Sequence, residues 1–323
     1  MAKGTERIIM KDISKLKDRR EIIEHVLEDL VSLNGDDPHL GYAIKENVDF
    51  FKVVASIRNY IVWVIKKAPK LKREQLLELT DLPFPHWDQK MHFKLIELEK
   101  RKFPGLIEPL VRKIYRFIHE ETKRLLILVD FGFGGMEVER QVIERLTENP
   151  SDKKLVFIGF DKSSITHEIA KQNLYEFQQT IITEEIEKLT PKILQEVIQS
   201  TGNKIVVILA KNNIFRLDKL FARESFDVIF HSLFKHHLGT NEKTLIDKIC
   251  VSLSKNVFEY DGYKSWFYIL FPHTITGWHD PVFLNATIFS DLRYFTKQEL
   301  KRMNKDTWRL TFSIRGTYLR EYH

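Results

Sequence analysis

Apolar positions in this chain change their period near residue 122. Before it they recur at helical spacing, as in EIIEHVLEDLVSL (21–33) and the strongly apolar VDFFKVVASIRNYIVWVIKKA (48–68). Breakers separate these stretches. Asn34-Gly35-Asp36-Asp37-Pro38 follows the first, Pro69 the second, and LPFPHW (82–87) closes a shorter helix at REQLLELT (73–80). A helix near 89–102 reaches FPG (103–105), and IEPLVRKIYRFIHEE (107–121) is the last of the series. Beyond it the apolar runs become short and continuous: LLILVDF (125–131), LVFIGFD (155–161), KIVVILA (204–210), FDVIF (226–230) and NVFEY (256–260). Runs of this length, bounded by turn residues, predict buried strands, and their intervals fit helical crossovers between parallel strands. EVERQVIERL (137–146) reads as the first crossover helix. The stretch Lys171 to Asn203 is longer than one helix needs, which predicts an elongated or doubled helix. Residues 308–323, WRLTFSIRGTYLREYH, alternate like a terminal β-hairpin. The pattern predicts an α/β protein: a helical N-terminal region, 1–122, and a sheet domain, 123–323.

The first strand carries the most specific chemistry. It ends at Asp130 and runs into a turn holding Gly132, Gly134 and Gly135, with Phe131 and Phe133 on either side of the first glycine. Strand, glycine turn, helix is how a nucleotide-type βαβ unit begins, because a Cβ in the turn would occupy the space a ligand needs. The same pattern also serves a plain strand-to-helix turn. The second strand closes on Asp161, an acid placed to accept hydrogen bonds from ribose hydroxyls. The helix that should receive a pyrophosphate starts instead with Glu137, whose carboxylate would repel it. No G-x-x-x-x-G-K-[ST] loop occurs. Asp130 and Glu137 therefore suit a cationic adenosine ligand without phosphate, S-adenosylmethionine, better than NAD or ATP.

The order of these segments resembles the class I S-adenosylmethionine-dependent methyltransferases, most nearly those acting on small molecules. That family's first strand ends roughly D-x-G-x-G-x-G, matched by Asp130, Gly132 and Gly134, with Met136 at the third glycine. Asp161 matches the family's ribose acid. FDVIFHSLFKHHL (226–238) looks like its fourth-strand motif, and HDPVFLNATIFSDLRYFTKQELKRM (279–303) is similar to its late "FT-x-x-EL" segment. The resemblance spans about 124 to 323. It implies a Rossmann-like, seven-stranded, mostly parallel sheet with helices on both faces. It implies S-adenosylmethionine as cofactor, held by Asp130, Gly132, Phe133, Gly134, Asp161, Lys162, Asn212 and Asn213. Asn212 or Asn213 falls where the family has an adenine-binding Asp, and an amide oxygen can accept the same bond. The implied reaction is methyl transfer to a small-molecule acceptor at oxygen.

A base for such a reaction would come from the loops after the fourth and fifth strands or a nearby lid. That region holds His231, His236, His237, His273, His279 and Asp280. His231 is the first choice, as the residue expected at the strand tip; His237 and His279 follow. WFYILF (266–271) and Trp278 sit where the family places its substrate lid, although such aromatics are more often core.

Composition narrows the alternatives. The 323 residues include a single cysteine, Cys250, which excludes an internal disulfide framework and any multi-cysteine metal site. No metal site is expected: His236 and His237 are adjacent, so on a helix their side chains diverge. No signal-peptide core or membrane-length apolar run appears, and the expected location is cytoplasmic. The net charge of +6 is concentrated before residue 125, in KKAPKLKRE (66–74) and between KRKF and RKIYR. Interleaved acids make these stretches read as solvated helix faces, so a nucleic-acid partner is the less favoured reading. The helical region could instead form a homodimer contact. The rival functions are RNA or protein methylation served by that basic region, and a non-catalytic methyltransferase-like scaffold.

Overall fold

The computed structural model describes residues 107–202, 205–264, 293–304, 308–313 and 317–322. Of the helical region expected over 1–122, only the last helix falls within them. This helix, α1 (Glu108–Glu120), has Pro109 in its first turn and buries Leu110, Val111, Ile114 and Ile118 on one stripe. It packs into the same apolar core as the first crossover helix, α2 (Glu137–Glu148).

The long apolar runs form the strands β1 (Leu125–Phe131) and β2 (Lys154–Phe160), each almost entirely buried. Further on come β4 (Ile205–Ala210), β5 (Val228–Ser232) and β6 (Val257–Gly262), in which every residue is buried. Continuous burial is what a parallel strand covered on both faces requires. One cover holds α1, α2 and part of α3 (Ser164–Leu174); the other holds α5 (Thr240–Leu253) and Leu194 of α4 (Pro191–Ser200). A terminal hairpin, β7 (Trp308–Phe312) and β8 (Thr317–Tyr322), pairs antiparallel, with β8 against β6. A short helix, α6 (Lys297–Met303), precedes it, capped by Thr296 and Glu299.

The sheet has eight strands, in the order β3-β4-β2-β1-β5-β6-β8-β7. The extra one, β3 (Ile181–Ile186), lies where a doubled helix was expected, and pairs in parallel with β4 at the sheet's edge. Two local signals place it. Ile181, Ile182 and Thr183 are β-branched, which favours a strand. Thr190-Pro191 then starts a new helix: the Thr190 hydroxyl accepts the Ile193 N–H at 3.3 Å. Glu184 and Glu185 disguised the strand, but an edge strand can leave charges in water. The chain leaves β1 in one direction and returns through β5 on its other side. The sheet's crossover point therefore lies between β1 and β5, where open α/β sheets bind their ligands. No described helix is long and apolar enough to cross a membrane.

Candidate active site

The glycine turn is built by backbone that side chains avoid. Gly132 has φ +71° and Gly134 +55°. The Gly132 N–H donates to the Phe160 carbonyl at 2.9 Å, tying the turn to the tip of β2. Met136, at the third glycine position, is also left-handed, at φ 57°. That conformation costs a side-chain residue about 1–2 kcal/mol. Burial of the whole Met136 side chain offsets it. The Phe133 ring is buried over Gly159, where a Cβ would lie 2.4 Å from Phe133 Cδ1.

Asp130 is buried at the end of β1. Asp161 follows β2, and its Oδ1 accepts the Ser163 N–H at 2.9 Å. Burial raises the Asp161 carboxyl above its ordinary value; the main-chain N–H groups of Ser163 and Gly134 act against that rise. Asp130, Gly132, Gly134 and Asp161 thus share one corner at the carboxyl ends of β1 and β2. Lys162 is exposed beside them.

Glu137 corrects the charge argument. Its carboxylate is buried and spent: Arg140 donates to it twice at 2.8 Å, and Gln141 donates at 3.0 Å. The acidity of the corner therefore comes from Asp130 and Asp161. Asn212 is also put to another use. Its Oδ1 accepts the Leu189 N–H at 2.7 Å and its Nδ2 donates to the Leu189 carbonyl at 2.9 Å. This two-point bracket, at 8% exposure, holds the loop after β3. Asn213 accepts the Phe215 N–H at 3.1 Å and caps a 3₁₀ turn. Both ends of the Asn212 amide are thus bonded to main chain, whereas exposed Asn213 has only its oxygen so engaged.

His231 is the last residue but one of β5. It lies within β5, opposite Glu259 in register, on the face that packs against α5, and it is 1% exposed. Its Nδ1 has no hydrogen-bond partner among the described residues. Burial lowers its pKa, with the Glu259 charge pulling the other way. His237 is exposed and stacks on His236 at 4.0 Å. His279, with His273, Trp278, Asp280 and WFYILF, lies outside the described residues.

The histidine that the fold organises is His236. Asp261 accepts its Nδ1–H at 2.9 Å and its main-chain N–H at 3.0 Å, and the edge of its ring meets Tyr294. β6 runs past the NVFEY segment, and Asp261 and Gly262 are its last residues. Gly262 leaves room for the Tyr294 ring, which a Cβ would meet at 2.3 Å. Next to His236, Lys235 is fully buried and reaches Asp247 of α5 at 2.6 Å and Glu259 at 2.8 Å. Arg320 of β8 grips the same two acids, and the Tyr318 hydroxyl donates to Glu259 at 2.5 Å. Burial alone would raise Glu259, but Lys235 and Arg320 overcome it and hold the carboxyl well below its ordinary range. Two consecutive residues of the β5 loop are thus clamped by Glu259 and Asp261, two acids on one face of β6. Phe234, from the same loop, covers Gly132: a Cβ there would lie 2.4 Å from its ring.

No protein-family model matches this chain, and no curated protein does. Among solved structures, the pyocyanin biosynthetic protein PhzM is similar at 14% identity and a TM-score of 0.39, over 64% of this chain and 53% of its own. This chain therefore spans about half the length of that protein. An Aquifex aeolicus S-adenosylmethionine-dependent methyltransferase is 12% identical, with a TM-score of 0.42, covering 74% and 98% of the two chains. The plantazolicin methyltransferase BpumL, solved with S-adenosylhomocysteine, is 11% identical, with a TM-score of 0.45, covering 80% and 98%. The last two are methyltransferase structures. These likenesses are distant.

Proposed function

We propose that this chain is an S-adenosylmethionine-dependent methyltransferase that methylates a hydroxyl of a small-molecule acceptor, with His236 as base. The observation that carries this reading is the meeting of two devices at one sheet edge. The glycine turn with Asp130 and Asp161 forms one corner, and the His236–Asp261 pair comes from the strand ends on the other side of the crossover point. The residues present fit an adenosine ligand with a positive charge: two acids at the carboxyl edge and glycine backbone in left-handed conformations.

S-adenosylmethionine supplies a methyl group on a cationic sulfur, open to in-line attack. Asp161 would accept bonds from the ribose hydroxyls. Asp130 and the main chain of the turn would face the methionine end. Asp261 fixes the imidazole of His236 with Nδ1 as donor, which leaves Nε2 as the basic nitrogen. Nε2 would take the acceptor's hydroxyl proton as its oxygen attacks, and Asp261 would stabilise the imidazolium that results. Alignment of the two reactants supplies the larger part of the acceleration.

The test is calorimetric titration of the full chain with S-adenosylmethionine, NAD and ATP, followed by radiolabelled methyl transfer to a panel of phenols and alcohols. Binding of S-adenosylmethionine alone, with label moved to a hydroxyl compound, is the expected result. Binding without transfer to any acceptor in the panel would favour the scaffold. No heat from S-adenosylmethionine at millimolar concentration would end the reading.

A further inference from the structure

The glycine turn carries an aromatic ring from the other side of the crossover point. Phe234 of the β5 loop lies so close to Gly132 that a Cβ there would come within 3.0 Å of three ring carbons, Cγ, Cδ2 and Cε2. Glycine at 132 therefore does two things: it takes the left-handed φ of +71° and it seats this ring. Part of Phe234 packs against the core on the α5 side of the sheet, and His231 meets its ring edge-on at 5.9 Å. The ring is nonetheless only half-buried.

The main chain fixes the ring where it stands. Leu233, just before it, is left-handed at φ 51°, a conformation that side-chain residues avoid. Such strain persists only where the surroundings over-determine it, and it clusters at functional sites. Here the Leu233 N–H donates to the Tyr260 carbonyl at 2.8 Å, and the Phe234 carbonyl accepts the His237 N–H at 3.0 Å. Lys235, the next residue, is held by Asp247 and Glu259. The rings of Phe258, Phe295 and Trp308 each lie under a lysine or arginine of this chain. Among the described residues, no lysine or arginine lies over Phe234.

The chemistry of a sulfonium suits such a ring. The face of an aromatic ring carries the negative part of its quadrupole and attracts a cation within about 6 Å, alkylated cations included. A thioether sulfur is neutral and receives no such attraction. We propose that Phe234 borders the cationic sulfur of bound S-adenosylmethionine and favours it over S-adenosylhomocysteine through a cation–π contact. The proposal rests on the assignment of the glycine turn to the methionine end. Asp130 and Asp161 give the corner its charge, and the ring adds an attraction specific to the sulfur. Transfer of the methyl group removes the sulfur's charge, and this attraction with it, which favours release of the product.

The experiment is calorimetric titration of the full chain with S-adenosylmethionine and, separately, with S-adenosylhomocysteine. Wild type, Phe234→Tyr and Phe234→Leu are compared, with a thermal melt of each. Phe234→Leu should bind S-adenosylmethionine about fivefold more weakly than wild type and S-adenosylhomocysteine within about twofold of it. Phe234→Tyr keeps a π face and should retain the wild-type ratio of the two affinities. Should Phe234→Leu fail to fold, Phe234→Met, which fills the space flexibly without a π face, takes its place. Equal weakening of both molecules by the aliphatic substitution would make the ring a packing element and overturn the proposal. Unchanged affinity for both would overturn it as well, and either result leaves the cofactor assignment standing. Absence of binding of both molecules by wild type would remove the cofactor assignment, and this proposal with it.

Discussion

His231 illustrates how burial decides what a residue can do. Removed from water and with no partner at Nδ1, its imidazole favours the neutral form. Its pKa in the fold is depressed, whereas in the unfolded chain it is about 6.5. Below about 6.5 the unfolded state binds a proton that the folded state refuses, so stability is complete only above about 6.5 and falls as pH drops from there toward the folded value. Urea unfolding at pH 7.5, 6.5 and 5.5 should show His231→Phe losing less stability on acidification than wild type; parallel losses would contradict this. Gly159 is decided by space. Its alanine variant places a methyl 2.4 Å from the Phe133 ring, and about 1–3 kcal/mol of destabilisation should appear in the same assay. His236 is decided by its partner. His236→Gln should keep affinity for S-adenosylmethionine and slow methyl transfer by about 10²–10⁴-fold, as a single-turnover assay with an accepted phenol would measure. The positions of Asp130, Gly132 and Asp161 were legible in the sequence because they follow from strand ends and turns. The His236–Asp261 pair was not: its members are 25 residues apart and meet only through the pairing of β5 with β6.

Elements were legible where the apolar pattern was strong. β1, β2, β4, β5 and β6 fall on their runs, and the terminal hairpin on its alternation. β3 was hidden by its charges, and the end of β6 by an Asp-Gly pair that ordinarily marks a turn. The anchor of the loop after β5 lies elsewhere. Lys235, Asp247, Glu259 and Arg320 join four segments through buried ion pairs. Such a network adds little net stability over an apolar core, but breaking one member leaves uncompensated charge. Lys235→Met should therefore cost about 3 kcal/mol, at the lower end of the usual range because Arg320 still faces both acids. Denaturant midpoints measure it; a cost within error of zero would show that Arg320 alone suffices.

At the scale of the whole sheet, the strand order places the glycine turn and the β5 loop on either side of one crossover point. The sequence implied a doubly wound sheet with helices on both faces, and the structure adds an eighth strand to the seven expected. What sequence could not supply was the tertiary use of polar side chains. Glu137, read as a charge near the turn, is paired with Arg140, and Asn212 is bonded to the Leu189 main chain. The central claim is that an adenosine with a cationic sulfur is gripped at the tips of β1 and β2. The most direct test is the affinity for S-adenosylhomocysteine of wild type against Asp161→Ala, each verified as folded. Loss of one or two charge-assisted hydrogen bonds to the ribose should weaken binding at least about tenfold. Equal affinity in the two proteins would place the ligand elsewhere and contradict the account.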